Sequence, residues 1–176
     1  MPPRAIYLVT SRNSPSQRSH FSIFVPSVAC STTGTSIHVV GAPMMGYQLE
    51  FKRNHALSSN EEPYETVLLG YVDSQHITGS PIESSSMFVD PTPRDDLEIA
   101  ASQIPASRVS ENFMAPVNDV SRTQTTNKRC QEWIMEFVRY MVARGLLEEE
   151  AVQVVQSKRD SPTHGIALQP AGRRVV

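Results

Sequence analysis

Two cysteines in 176 residues, Cys30 and Cys130, are too few for a disulfide framework. Both are expected to be reduced thiols. Aromatic residues make up 7% and hydrophobic residues 39%, so the apolar core is modest. Lysines and arginines never cluster beyond two in a row, and the net charge is −2, which gives no electrostatic case for a nucleic-acid or anionic-membrane partner. No apolar run nears the roughly 18 residues of a membrane span. The opening MPPRAIYLVTSRN has an apolar stretch of about five residues, shorter than the core of a secretory signal. These absences leave the expectation of a soluble, cytoplasmic protein with no stable membrane anchor. Glycines are fewer than prolines, 8 against 13, and with many Ser and Thr this composition suggests long connections between elements.

The first half of the chain reads as strands. AIYLVT (5–10) is a short apolar run, and HFSIFVP (20–26) sets Phe21, Ile23 and Val25 on one face against His20, Ser22 and Phe24 on the other. SIHVVG (36–41) and YQLEFKRN (47–54) alternate in the same way, and YETVLLGYVDS (64–74) is a fifth candidate. Residues 75–125 carry mostly loop chemistry, with a short helix over 95–104 capped by Asp95 or Asp96. The strongest helical signal runs from about Thr126 to Arg144. There Ile134, Phe137, Val138, Met141 and Val142 recur at spacings of three and four, with Thr125, Thr126 or Asn127 as cap and Gly145 as stop. A further short helix is predicted over EEEAVQVVQSKR. The expected fold is α+β: one domain over 1–160, in which an antiparallel sheet of about five strands packs against a long helix, with a tail at 161–176.

Cys130 falls at the start of that long helix, next to Lys128 and Arg129. Free N–H groups and the positive end of the helix dipole favour a thiolate at such a position, and the backbone N–H of Cys130 is a candidate oxyanion donor. A small side chain packed at a helix start is the bland alternative. A nucleophilic thiol needs an imidazole base, and the base an orienting partner. His20 and His38 each point away from the apolar face of their strands and can share a cleft if those strands are neighbours. His55 and His76 lie at strand ends and His164 in the tail, where exposure is the expectation; DSQH (73–76) offers an alternative third residue. No two histidines stand at a metal-binding spacing, so neither metal nor cofactor is expected. Cys30 reads as a free structural thiol, and Trp133 with Phe137 as a buried stripe docking the helix on the sheet.

SHFSIFVP, then SIHVVG, then a distant NKRCQEW opening an amphipathic helix, resembles the circularly permuted NlpC/P60-like thiol enzymes. These include the lecithin:retinol acyltransferase-like proteins and, more distantly, the PPPDE-type peptidases. The likeness covers residues 18–55 and 125–147. It implies a permuted papain-like fold with His20 as general base, His38 as its orienting partner, Cys130 as nucleophile and Asn127 as the preceding asparagine. The run Gln131-Glu132-Trp133 departs from the acyltransferase pattern. The chain is also similar to small proteins of filamentous fungi, some encoded near natural-product gene sets. The implied activity is acyl transfer or amide or ester hydrolysis through a covalent thioester, on a small-molecule or peptide acyl substrate. Two other classes fit the residues. One is a cyclase or isomerase using the histidines as acid and base; the other is a non-catalytic interaction protein on the same scaffold.

Overall fold

The computed structural model describes residues 1–78, 86–110, 114–117 and 127–166. Six strands, β1 (Arg4–Ser11), β2 (His20–Pro26), β3 (Thr33–Ala42), β4 (Gly46–Ala56), β5 (Tyr64–Val72) and β6 (Phe88–Asp90), form one sheet in the order β5-β1-β2-β3-β4-β6. Every neighbouring pair is antiparallel. Three helices follow, α1 (Asp96–Ser102), α2 (Cys130–Ala143) and α3 (Glu150–Lys158). The fold is α+β. The sheet has one strand more than expected, because β6 is only three residues long and lies in the region read as loop. Such a strand carries too few residues for alternation to be visible.

Strand alternation puts most of the large apolar side chains on one face. Ile6, Leu8, Phe21, Ile23, Val25, Ile37, Val39 and Phe51 form a continuous core with Leu97 of α1, with Trp133, Ile134, Phe137, Val138 and Met141 of α2, and with Ala151 and Val155 of α3. Trp133 and Phe137 stack at 5.3 Å between ring centroids, and Trp133 Nε1 donates to the Ile104 carbonyl at 3.1 Å. Most of the stabilising burial therefore sits between α2 and the sheet, at about 1.5–3 kcal/mol for each large side chain. The other face has only a small apolar cluster of Val9, Phe24 and Leu57, with Tyr7 against it.

Helix ends follow the residues available. Asp95 caps α1 by accepting from the Glu98 N–H. At the start of α2 the Arg129 N–H donates to the carboxylate of Glu132, three residues on, so the entry is fixed by Glu132 and not by the expected Asn127. Thr125 and Thr126 lie outside the described residues. Asn127 is instead buried, accepting from Ser110 Oγ at 2.9 Å and donating to the Ala115 carbonyl at 2.6 Å, which ties the preceding loop to the helix entry. α2 ends before Gly145, whose φ of 71° suits a residue without a side chain. Residues 161–166 turn back onto the domain: Ile166 is buried, and His164, expected to be exposed, contacts Arg12. Residues 167–176, the rest of the predicted tail, are outside the described residues.

Candidate functional site

The site begins where two strands part. The β2–β3 ladder runs from Pro26↔Gly34 to Ile23↔Ile37 and stops, although β2 starts three residues earlier and β3 continues to Ala42. His20 to Ser22 pair only with β1, and His38 to Ala42 only with β4. The start of α2 occupies the edge that β3 leaves. Gln131 Nε2 donates to the Ser19 carbonyl at 2.9 Å, and Cys130 Sγ lies 3.7 Å from the same oxygen. The Phe21 N–H also points at the sulfur. The thiol thus lies against the backbone on both sides of His20.

A buried polar knot holds this junction. Asp160 accepts from the Ser19 N–H at 2.8 Å, from Gln131 Nε2 at 2.8 Å and from Arg12 at 2.6 Å, and its own N–H donates to Gln131 Oε1 at 2.9 Å. Arg18 reaches Gln131 and Glu132, and Arg159 also reaches Glu132. Gln131 and Glu132 are fully buried, so their partners are obligatory. Burial pushes the Asp160 carboxyl up, but the hydrogen bonds from Arg12, Ser19 and Gln131 outweigh it and hold it below the usual range. The Gln131-Glu132 pair that departs from the acyltransferase pattern is therefore the fastening between α2 and β2. Gln17, Arg18 and Ser19 are engaged in that fastening and in the turn before it.

On the open face His20 Nε2 lies 2.8 Å from His38 Nδ1, and His38 Nε2 lies 2.9 Å from Glu50 Oε1. The two rings meet edge to face with centroids 5.0 Å apart. Glu50 is the cross-strand partner of His38. Directionality follows from chemistry: a Glu50 carboxylate accepts from His38 Nε2–H, so His38 Nδ1 is bare and accepts from His20 Nε2–H. The remaining lone pair of the chain is on His20 Nδ1. Burial lowers the His20 pKa to about 4, with Lys52 adding to it. Burial, then His20, Lys52 and His55, push His38 lower still. Both rings are neutral at rest, the form that can accept a proton.

Cys130 is also neutral at rest. Burial pushes its thiol up to about 11, with Glu132 adding to it, against the N–H groups of Phe21 and Gln131 and against Arg18, which pull the other way. Desolvation therefore opposes the thiolate that a helix start favours. Cys30 behaves oppositely. It is exposed, its sulfur is 3.2 Å from Thr32 Oγ1, and hydrogen bonding to Thr32 brings its pKa down to about 7.

The histidines line a cleft of about 590 Å³ together with Ser22, Ser36, Val40, Tyr47, Lys52, His55 and Asn60. Tyr47, which comes from the helix-covered side of β4 and packs against the core, is part of this lining, and Cys130 is not. Burial raises the Tyr47 pKa, and Cys130 adds to it. Among the described residues no group of three or more His, Cys, Asp or Glu side chains is arranged to hold a metal ion, and no helix is long and apolar enough to cross a membrane.

Residues 6–148, from β1 through α2, match a family of unknown function, DUF6540. The chain belongs to the DUF6540 family. Comparison with curated proteins and with solved structures finds no match. The matched range of the DUF6540 domain contains His20, His38, Glu50 and Cys130, while Asp160 lies beyond it.

Sequence reading misses Glu50 in this DUF6540 site and misjudges His55. Glu50 shares its face with Lys52 in the alternating run YQLEFKRN, and knowing the β3–β4 register would have set it opposite His38. His55, expected at an exposed strand end, is buried. Its Nδ1 is 2.7 Å from Ser36 Oγ and its Nε2 2.9 Å from Asn60 Oδ1. His76 lies away from the cleft lining and contacts Asp96 at 2.7 Å.

Proposed function

We propose that this protein is a thiol enzyme of the cytoplasm, with a permuted papain-like arrangement, acting on a small-molecule or peptide acyl compound. The observation that supports it is the unbroken hydrogen-bonded chain Glu50–His38–His20, ending at the residue whose flanking backbone holds the Cys130 sulfur. Cys130, which packs against the core and makes no hydrogen bond to the His20 imidazole at rest, attacks the carbonyl carbon at the gap between β2 and β3 as its S–H proton passes to His20 Nδ1, and an S–C bond forms. The leaving group departs with the proton from the His20 imidazolium, leaving a thioester. Water, an amine or a hydroxyl then attacks the thioester, His20 takes its proton, and the thiol is released. His38 fixes the ring of His20, and Glu50 fixes His38.

The resting pKa values decide the timing. Burial raises the thiol and lowers His20, so a standing thiolate–imidazolium pair is disfavoured at rest. Proton transfer therefore accompanies sulfur attack. The cleft volume lies within the range usual for small-molecule sites.

The test is acylation by p-nitrophenyl acetate, followed by mass spectrometry of the intact protein and its peptides. The expected result is an acetyl group on Cys130, lost in Cys130→Ala and formed at least 100-fold more slowly in His20→Ala. Full turnover in Cys130→Ala removes the mechanism. A second reading is favoured by the protonated sulfur held at the Ser19 carbonyl: a cyclase or isomerase in which His20 and His38 serve as acid and base. That enzyme is indifferent to Cys130→Ala and lost in His20→Ala or His38→Ala.

A further inference from the structure

The open face carries a second hydrogen-bonded chain that the thiol reading leaves unused. Ser36 Oγ, His55 and Asn60 Oδ1 are linked at 2.7 and 2.9 Å, and all three residues line the cleft. Asn60 Oδ1 can only accept, so His55 Nε2 carries the hydrogen. His55 Nδ1 is then bare, and the Ser36 hydroxyl must donate to it. This is the order of roles that makes a serine nucleophilic: an amide orients an imidazole, and the imidazole takes the hydroxyl proton.

The backbone is distorted where this chain requires it. Simple alternation along β4 would turn His55 with Phe51 and Arg53 toward the helices. A register shift between Gly34 and Ser36 and a left-handed Asn54 at φ 52° reverse it, setting His55 over Ser36 on the open face. Bulges that re-aim a side chain gather beside functional sites, and a left-handed non-glycine residue has an energetic cost that the surroundings must offset. Ser36 and His55 are 2% and 7% exposed, so the pair is largely shielded from water. Burial is also the main cause that lowers the His55 pKa and keeps it an acceptor.

We propose that Ser36 is a second nucleophile, activated by His55 and oriented through Asn60, that hydrolyses small esters entering the open-face cleft. Ser36 Oγ bonds to the ester carbonyl carbon while its proton moves to His55 Nδ1. The alkoxide leaves with that proton, giving a seryl ester. Water attacks the ester, His55 takes one of its protons, and the acid is released as Oγ regains the proton. The proposal does not depend on Cys130.

A fluorophosphonate probe tests it, because an activated serine displaces fluoride from phosphorus and keeps the phosphonyl group. Peptide mapping of the wild-type chain is expected to find the adduct on Ser36. Labelling should fall at least 100-fold in His55→Gln and about tenfold in Asn60→Ala, return in Asn60→Asp, and keep its wild-type rate in Cys130→Ala. A wild-type chain unlabelled at Ser36, or His55→Gln labelling at the wild-type rate, overturns the proposal. An adduct on Cys130 alone also overturns it while agreeing with the thiol enzyme. Circular dichroism confirms that each variant is folded, and mapping of the wild-type chain reads the outcome even if Ser36→Ala does not fold.

Discussion

The two faces of one sheet divide the labour. The helix-covered face holds almost the entire apolar core, with Trp133, Phe137, Ile134 and Val138 seated on Ile23, Ile37 and Phe51. The open face carries His20, Ser22, Ser36, His38, Glu50, Lys52 and His55 with a small apolar cluster at its end. Because strand side chains alternate, every residue given to chemistry on one face is matched by a neighbour given to stability on the other. Substitutions on the two faces should therefore separate into losses of fold and losses of activity, with Cys130, which packs against the core, as the exception.

The largest expected effect breaks the covered face. Trp133→Ala should lose about 3–5 kcal/mol in a urea titration, from lost burial plus the cavity it leaves. A similar loss, again about 3–5 kcal/mol, is expected for Arg53→Ala. Arg53 is buried against Glu98 and also bonds Asp90, which joins β4, β6 and α1, and its removal leaves the Glu98 carboxylate buried without its cation.

The open face should respond to acid instead. The His20 pKa in the folded protein, about 4, lies below the ordinary 6.5, so the unfolded chain takes up its proton first as pH falls. Stability is unaffected by this group above pH 6.5, declines between 6.5 and 4, and reaches its full loss below 4. The amount is on the order of 3 kcal/mol. Urea midpoints in His20→Gln should show a correspondingly shallower acid decline; an unchanged slope would mean that another group sets it. If the thiol enzyme is right, the acid limb of kcat/KM also lies near pH 4 instead of 6.5.

The two thiols offer a finer contrast. At pH 7.5 iodoacetamide should alkylate Cys30 on the order of 100-fold faster than Cys130, as the larger thiolate fraction of Cys30 outweighs the greater intrinsic reactivity of a high-pKa thiolate. Peptide mapping over time measures both, and equal rates would mean the sulfur of Cys130 is far less enclosed. The smallest effect belongs to the surface: Val28→Ser, at a residue 77% exposed, should change stability by less than about 0.5 kcal/mol.

Elements with a periodic pattern could be read from the sequence, and elements made by pairing could not. The residues of β2 coincide with HFSIFVP, and the apolar stripe of α2 with its 3- and 4-residue spacing, because both patterns are local. β6 could not be read, since three residues gain their identity only from β4 beside them. His20 and His38 could be set on polar faces by alternation, and neighbouring strands brought them together. Glu50 and Asn60 needed the register and the turn after β4, which are tertiary facts. His55 was misplaced for a physical reason: β4 runs on to Ala56 through the left-handed Asn54 and the register shift, so a residue read as an exposed strand end lies buried over Ser36. The raised Cys130 pKa was equally out of reach, because the depth of enclosure at a helix start is not written in the residues beside it.

Asp160 carries a consequence for how this molecule is handled. One carboxylate near the far end of the chain clasps the segment before β2 to the first turn of α2, and no strand or helix contains it. A shortened version that stops at Lys158 would keep every regular element of the fold and still free the two segments that bracket His20 and Cys130. Less stable and inert material is what such trimming should yield, because Gln131 and Glu132 lose buried partners, and activity is to be sought in chains that retain Asp160.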